Sequence, residues 1–394
     1  MPSGGKAVPW LPIVAFALLH FMSGGAYMPY LQLHYQQRGV SAVGIGALTA
    51  VGPAFAVVIP LVWGLLGDRS GQVRRLLALT SFLAVGAFFG LAAVWSFRAM
   101  FLLSALFSAF ALAGGPLGTA LILSEADRLG SSYGLLRMWG SIGFAVGILG
   151  AGRLVESFGT VSIFSAYALP ALLSLIPLAC LPESGVKPQP LTIRRVWQAL
   201  GNRHLHLILI VSLLWRVTSA AYYTFFSIYL DGMGAGATLI SAAWAMGLVG
   251  EVAVLRLSGR LVGAVGVKGL LLAGLGGSAF RWLAYSLCPA PEWTLPFQLL
   301  HGLTFGATTT GAILAVDRVF PVALRSTGQG MLNVVMWGAG GLLGSLLAGL
   351  LFQAVGIRWL FGLSAAGAAV TALLTLLAWD LPGFAASETG KASD

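Results

Sequence analysis

One acid, Glu251, lies well inside a long apolar stretch of this chain, and four arginines, Arg137, Arg216, Arg256 and Arg281, lie within or at the border of others. At the centre of a bilayer an ionised side chain costs roughly 2.5–3.5 kcal/mol on insertion scales, so each of the five is a functional candidate. An acid so placed can carry a proton: burial and a neighbouring arginine act on it in opposite directions, and a rearrangement that alters the balance loads or unloads it. A static tie between Glu251 and Arg216 or Arg281 is the structural alternative. Four cations against one carboxylate favour an anionic or strongly hydrogen-bonding solute wherever three of them line one cavity. The planar fork of Arg137 suits a carboxylate or paired hydroxyls, although an arginine at a helix end also snorkels to the surface. His301 can relay a proton or bond a solute.

Aromatic residues supply the rest of a pocket, since phenol and indole groups join a flat apolar face to one polar handle. Tyr27 and Tyr222 are the foremost, because they occupy equivalent places in two halves of the chain. His20, Ser23, Gly24 and Tyr27 recur at three- and four-residue steps and share one helix face.

The elements that must hold these residues follow from composition. With 58% hydrophobic and 9% charged residues, the chain has too little polar surface for a soluble protein of its length. Continuous apolar runs of about 20 residues predict twelve transmembrane helices and no barrel. The segment before the first run carries only Lys6 and no cleavage signal, so that helix is expected to be retained. The net charge of +10 is topological. One set of loops and ends holds Lys6, Arg69, Arg74, Arg75, Arg128, Lys187, Arg194, Arg195, Arg203, Arg260, Lys268, Arg318, Arg325 and Lys391, the other only Arg38, Arg98, Arg153 and Arg358. The positive-inside rule then puts the first set and both termini in the cytoplasm of a bacterial-type inner membrane. The basicity faces anionic lipid rather than nucleic acid. Cys180 and Cys288 fall on opposite sides and cannot pair. No metal spacing, nucleotide loop or nucleophile and base pair is present, so neither an enzyme nor a cofactor is expected.

The chain is built twice. Gly64 to Arg75 puts a charged, glycine-containing turn between two apolar runs, and adding 195 to Gly64 and Gly71 reaches Gly259 and Gly266 in a second turn that ends at Lys268. The same offset carries Tyr27 onto Tyr222. Between the halves lies a proline- and arginine-containing stretch that reads as a cytoplasmic linker. The expected organisation is a six-helix bundle over 1–182, a linker over 183–204 and a second bundle over 205–394.

These residues resemble the major facilitator superfamily. Gly64 to Arg75 is similar to its loop signature, with the basic pair displaced to Arg74-Arg75, and Asp68 is the acid expected to latch onto Arg69, Arg74 or a facing helix end. Gly64, Asp68, Arg69, Gly71 and Arg74 thus form a gate. Within the superfamily the chain resembles the branch of lactose permease and the phenylpropionate and nucleoside proton symporters. The matching pieces are Gly25 to Tyr30, Pro116 to Gly118, Tyr133 to Phe144, Gly250-Glu251, Arg281 and His301. The resemblance implies a solute site between the two bundles, with Arg137 contacting the solute and Phe144 stacking on it. It implies a proton-coupling group of Glu251, Arg281 and His301. Two departures matter. Thr304 stands where lactose permease has its proton-carrying glutamate, and Thr119 stands where it has a sugar-binding one. Losing that acid while keeping arginines favours a carboxylate, aromatic or aliphatic. The expected protein is a monomeric transporter that takes up a small solute with protons by alternating access, with Arg137, Phe144, Tyr27, Thr119, Tyr222 and Arg216 at the solute. A sugar or nucleoside symporter, an exporter or uncoupled facilitator, and a receptor without transport remain open.

Overall fold

The computed structural model describes residues 10–183, 203–320 and 325–379. Among these residues every regular element is a helix. Ten helices are long and apolar enough to cross a membrane, and a bent pair adds one more. One of the ten, Ala237–Leu287, runs 51 residues and breaks at Gly266, so it holds two spans. On that count the described residues contain the twelve spans the apolar runs predict. In order they are α1 (Leu11–Gln37), α2 (Ala42–Ser70), α3 (Val73–Ala93), α4 (Phe97–Leu129), α5 (Tyr133–Phe158) and α6 (Ser162–Ala179). There follow α7 (His204–Gly232), α8 (237–265), α9 (267–287), α10 (Pro291–Gln298 and Gly302–Val319, bent by 43°), α11 (Thr327–Val355) and α12 (Ile357–Trp379). Residues 184–202 of the expected linker lie outside the described residues.

The ends of the helices follow local chemistry. Ser96 and Ser132 cap α4 and α5, each accepting a hydrogen bond from the backbone N–H three residues on, at 3.3 Å. Gly71 closes α2 at φ 63° and Gly266 divides α8 from α9 at φ 69°, a region that side chains with a Cβ avoid. The two glycines stand 195 residues apart, as do Gly39 and Gly234, which have φ of 79° and 89°. The repeat is therefore written in the backbone. The second turn is shorter than its sequence suggests: the helix runs on through Gly259 and Gly263 and stops at Gly266.

The chain forms two compact units. The first comprises Met1–Arg38, Phe55–Gln189 and Gly236–Ala242, and the second Gly39–Ala54, Pro190–Ala235 and Ala243–Asp394. Each unit thus includes a short piece from the other half of the sequence, the start of α8 in one and the start of α2 in the other. In the first unit α1 and α5 touch backbone to backbone. A β-carbon at Gly143 or Gly147 would land on the carbonyl of Leu18 or Met22, and one at Gly25 on that of Phe144. In the second unit Gly344 has Val217 and Ala220 against it, and Gly340 the stem of Arg216. In lipid, where apolar side chains gain little by leaving their solvent, such close approach is the main source of helix association. Many other large apolar side chains point outward: Phe82, Leu102, Leu169 and Leu377 are all at least 60% exposed. That apolar coat is suited to hydrocarbon and to nothing aqueous.

Candidate solute site and proton-coupling cluster

Two adjoining cavities open within the first unit. One, of about 150 Å³, is walled by Phe21, Tyr27, Phe107, Phe110, Phe144 and Tyr167, with the hydroxyls of Ser23 and Ser81 beside them. The other, of about 430 Å³, is lined by Arg137, Thr119, Tyr133, Ile122 and the bare backbone of Gly115. His20, Phe21, Ala111 and Gly114 border both. Helical spacing explains the composition: α1 presents His20, Ser23, Gly24 and Tyr27 on one face, and α5 presents Arg137 and, two turns on, Phe144. Four residues expected at the solute therefore meet here, two in each cavity.

The guanidinium of Arg137 lies 3.8 Å from the centroid of Phe21, a cation–π contact of about 0.5–2 kcal/mol. Its Nη1 is buried without a hydrogen-bond partner. Neither cavity has a carboxylate among its lining residues. His20 stacks on Phe16 at 5.3 Å and meets Phe21 edge-on at 5.4 Å. A β-carbon at Gly114 would lie 2.9 Å from His20 Nε2, so the backbone of α4 must be bare for this ring to fit.

The second unit holds a polar cluster centred on Arg281, which is fully buried. Its Nε donates to Tyr285 Oη at 3.0 Å, and its Nη1 donates to Thr304 Oγ1 at 3.0 Å and faces His301 Nδ1 at 3.0 Å. Its Nη2 donates to Gln298 Oε1, which also accepts from Tyr222 Oη at 3.3 Å. The guanidinium lies 4.4 Å from the Tyr222 ring and 5.0 Å from that of Trp282. A guanidinium only donates, so the imidazole Nδ1 must accept, which leaves the ring proton on Nε2. That nitrogen faces Glu251 Oε2 at 3.9 Å. The imidazole thus stands between the cation and the acid. Glu251, Arg281 and His301 form one group, as the sequence suggests, with His301 at its centre. Tyr222 belongs to this group, 1% exposed under Arg281, and lines neither cavity.

Arg216 is 8% exposed and stands over Tyr223 at 4.6 Å and Trp337 at 5.5 Å, with Nε and Nη1 buried and unpartnered. Two short π-helical segments, Gly302–Ala307 in α10 and Val334–Gly340 in α11, flank this region. Such bulges often mark functional places in helices. Arg256 is exposed and joins neither group.

At the charged turn, Arg74 takes Glu183, not Asp68, as its partner. Its Nε lies 3.3 Å from Glu183 Oε1, its backbone N–H donates to Oε2 at 3.0 Å, and Nη1 donates to the carbonyls of Ala179 and Leu181. Glu183 thereby caps the first turn of α3 and binds a cation at once. Asp68 is half-buried, Arg69 exposed, and Gly64 passes Pro116 with room for a β-carbon at 3.8 Å. Gln298, Tyr285 and Glu183 were not anticipated. Tyr285 is four residues after Arg281 and Gln298 three before His301, spacings that bring side chains together on a helix. Nothing local points to Glu183.

Helices that repeat over two halves, cavities within the first unit and a buried polar cluster within the second give the chain the general make-up of a membrane carrier. The MFS_1 like family matches residues 11–363, and the chain belongs to that family of secondary transporters. It is 30% identical over 352 residues to the maltose permease of Geobacillus stearothermophilus, covering 88% of each chain. It is 26% identical to the probable 3-phenylpropionic acid transporter of Escherichia coli (strain K12), covering 91% of this chain and 96% of that one. In fold it is similar to the crystal structure of the nucleoside transporter NupG, at a TM-score of 0.84 and 17% identity over 94% of this chain and 99% of the other.

Proposed function

We propose that the chain takes up a small organic carboxylate, aromatic ones included, together with protons. Arg137 carries the carboxylate reading: a buried guanidinium nitrogen without a partner borders a 430 Å³ cavity that has no acid among its lining residues. A carboxylate would meet that fork with charge-assisted hydrogen bonds, and Thr119 and Tyr133 would add hydroxyls. Similarity to the 3-phenylpropionic acid transporter supports the aromatic class.

Proton coupling is assigned to Glu251 and His301, with Arg281 as the switch. While Arg281 holds Nδ1, the ring cannot take a second proton; a proton arriving at Nδ1 must displace the guanidinium. Movement of Arg281 and protonation of the relay are therefore linked. In this reading the transporter works as a monomer by alternating access, with bundles over 1–182 and 205–394 and a linker over 183–204. Both termini lie in the cytoplasm of a bacterial-type inner membrane. Arg216 serves as a second solute anchor and Gly64 to Arg74 as a gate.

A sugar reading draws on the maltose permease similarity. Against it, sugar hydroxyls need acceptors, and neither cavity supplies a carboxylate. Uptake of labelled 3-phenylpropionate into proteoliposomes separates the two. The expected result is accumulation driven by a pH gradient acid outside, inhibited by unlabelled 3-phenylpropionate and untouched by maltose or uridine. Accumulation of maltose or uridine instead, or indifference to the gradient, overturns the corresponding part.

A further inference from the structure

Size and lining divide the labour between the two cavities of the first unit. The smaller measures about 150 Å³ and is walled by six aromatic rings. A cavity of that volume is the size that admits one benzene ring, here with the hydroxyls of Ser23 and Ser81 and the ring of His20 at its border. The larger has Arg137, Thr119 and Tyr133 and room for a carboxylate with its water. Phe21 belongs to both, with the Arg137 guanidinium over its ring. His20 is the polar group between them. Its ring is fixed by Phe16, Phe21 and the bare backbone at Gly114, and its nitrogens make no hydrogen bond to any described residue. An imidazole so held can donate to or accept from a solute that crosses from one cavity to the other.

We infer that the smaller cavity is a single-ring aryl pocket and that His20 is the specificity-determining residue at its mouth, so the preferred solute is a one-ring aryl-alkyl carboxylate with its ring among Tyr27, Phe107 and Phe144 and its carboxylate at Arg137. This rests on the carboxylate reading above and adds a size limit to it. Two fused rings fill more than about 150 Å³, so the second ring must displace Phe107 or Phe110 or extend into the larger cavity beside His20. A disaccharide exceeds it by more, and would bring hydroxyls against aromatic faces.

Equilibrium binding of 3-phenylpropionate and 3-(2-naphthyl)propionate to the purified full chain in lipid nanodiscs tests the inference. Wild type should prefer the single ring by about tenfold or more, the discrimination a shaped apolar pocket can deliver. Phe110→Ala enlarges the chamber and should bring the ratio close to one by tightening the naphthyl compound, a gain that a misfolded protein cannot produce. His20→Ala, which joins the two spaces, should also erode the ratio, whereas Arg137→Gln should weaken both compounds and leave it in place. Equal binding of the two by wild type, or an unchanged ratio in both Phe110→Ala and His20→Ala, overturns the pocket while leaving the carboxylate reading intact. Binding of maltose or uridine with neither acid bound overturns both.

Discussion

Replacing Gln298 by leucine should destabilise the second unit by about 1–3 kcal/mol. The side-chain oxygen accepts from both Arg281 Nη2 and Tyr222 Oη, deep in a region that water does not reach. Losing a hydrogen bond to a charged donor costs about 1.5–3 kcal/mol and to a neutral one about 0.5–1.5 kcal/mol. The amide nitrogen Nε2 is buried without a partner, so its removal returns about 1 kcal/mol. The remaining bonds from Arg281, to Tyr285, His301 and Thr304, stay in place and limit the damage. Thermal unfolding of the purified protein in one detergent should show the leucine variant melting below wild type. Gln298→Glu keeps the acceptor and adds a charge against Arg281, so it should melt no lower than wild type. It should nevertheless lose gradient-driven uptake, because the guanidinium is then held away from its exchange with His301. A leucine variant as stable as wild type would refute the bonding scheme. Full gradient-driven uptake by the glutamate variant would refute the switch.

Glu251→Gln removes the acid that faces His301 Nε2, and should abolish accumulation driven by a pH gradient while solute exchange at equal pH persists; coupled accumulation at the wild-type rate would strip Glu251 of its part. Asp68→Asn should slow transport several-fold with solute affinity unchanged, measured by initial rates beside equilibrium binding, and a loss of affinity alone would count against the gate. Gly143→Val sets side-chain atoms on the carbonyl of Leu18, and overpacking of that kind costs about 1–3 kcal/mol. A lower melting temperature together with weaker solute binding is expected, because Phe144 is the next residue, and an unaltered protein would mean that α1 and α5 separate freely.

The twelve spans were legible because hydrocarbon demands continuous apolar runs, a signal that needs no tertiary information. Glu251 and Arg281 stood out because charges inside such runs are rare, and His301 because the resemblance sets it 20 residues beyond Arg281; the structure brings the three side chains together. Gln298 carries no charge, and its place under Arg281 depends on how α9 and α10 meet. Of the partners open to Asp68, Arg74 is taken by Glu183, which reaches the start of α3 from 109 residues away and so gives no local sign of itself. Tyr222, expected at the solute by its equivalence to Tyr27, lies under Arg281 and lines neither cavity of the first unit, a placement the offset of 195 does not reveal. Gly143 and Gly147 have the four-residue spacing of a close-packing surface, a spacing common by chance in a chain with 53 glycines, and the carbonyls of α1 lying against them give it its meaning.

The first turns of α2 pack on α11, with Gly46 against Gly349 at a β-carbon distance of 3.1 Å, and both belong to the second unit. A ribosome adding about 5–20 residues per second reaches Gly349 roughly 15–60 s after Gly46. During that interval α2 is in the membrane with its tightest surface facing lipid and no counterpart yet made. Small residues let helices approach closely in lipid, so the bare backbone at Gly46 is a surface on which another helix could pack before Gly349 is made. Synthesis order thus leaves the Gly46 face of α2 without its partner helix for most of the time the chain takes to be made.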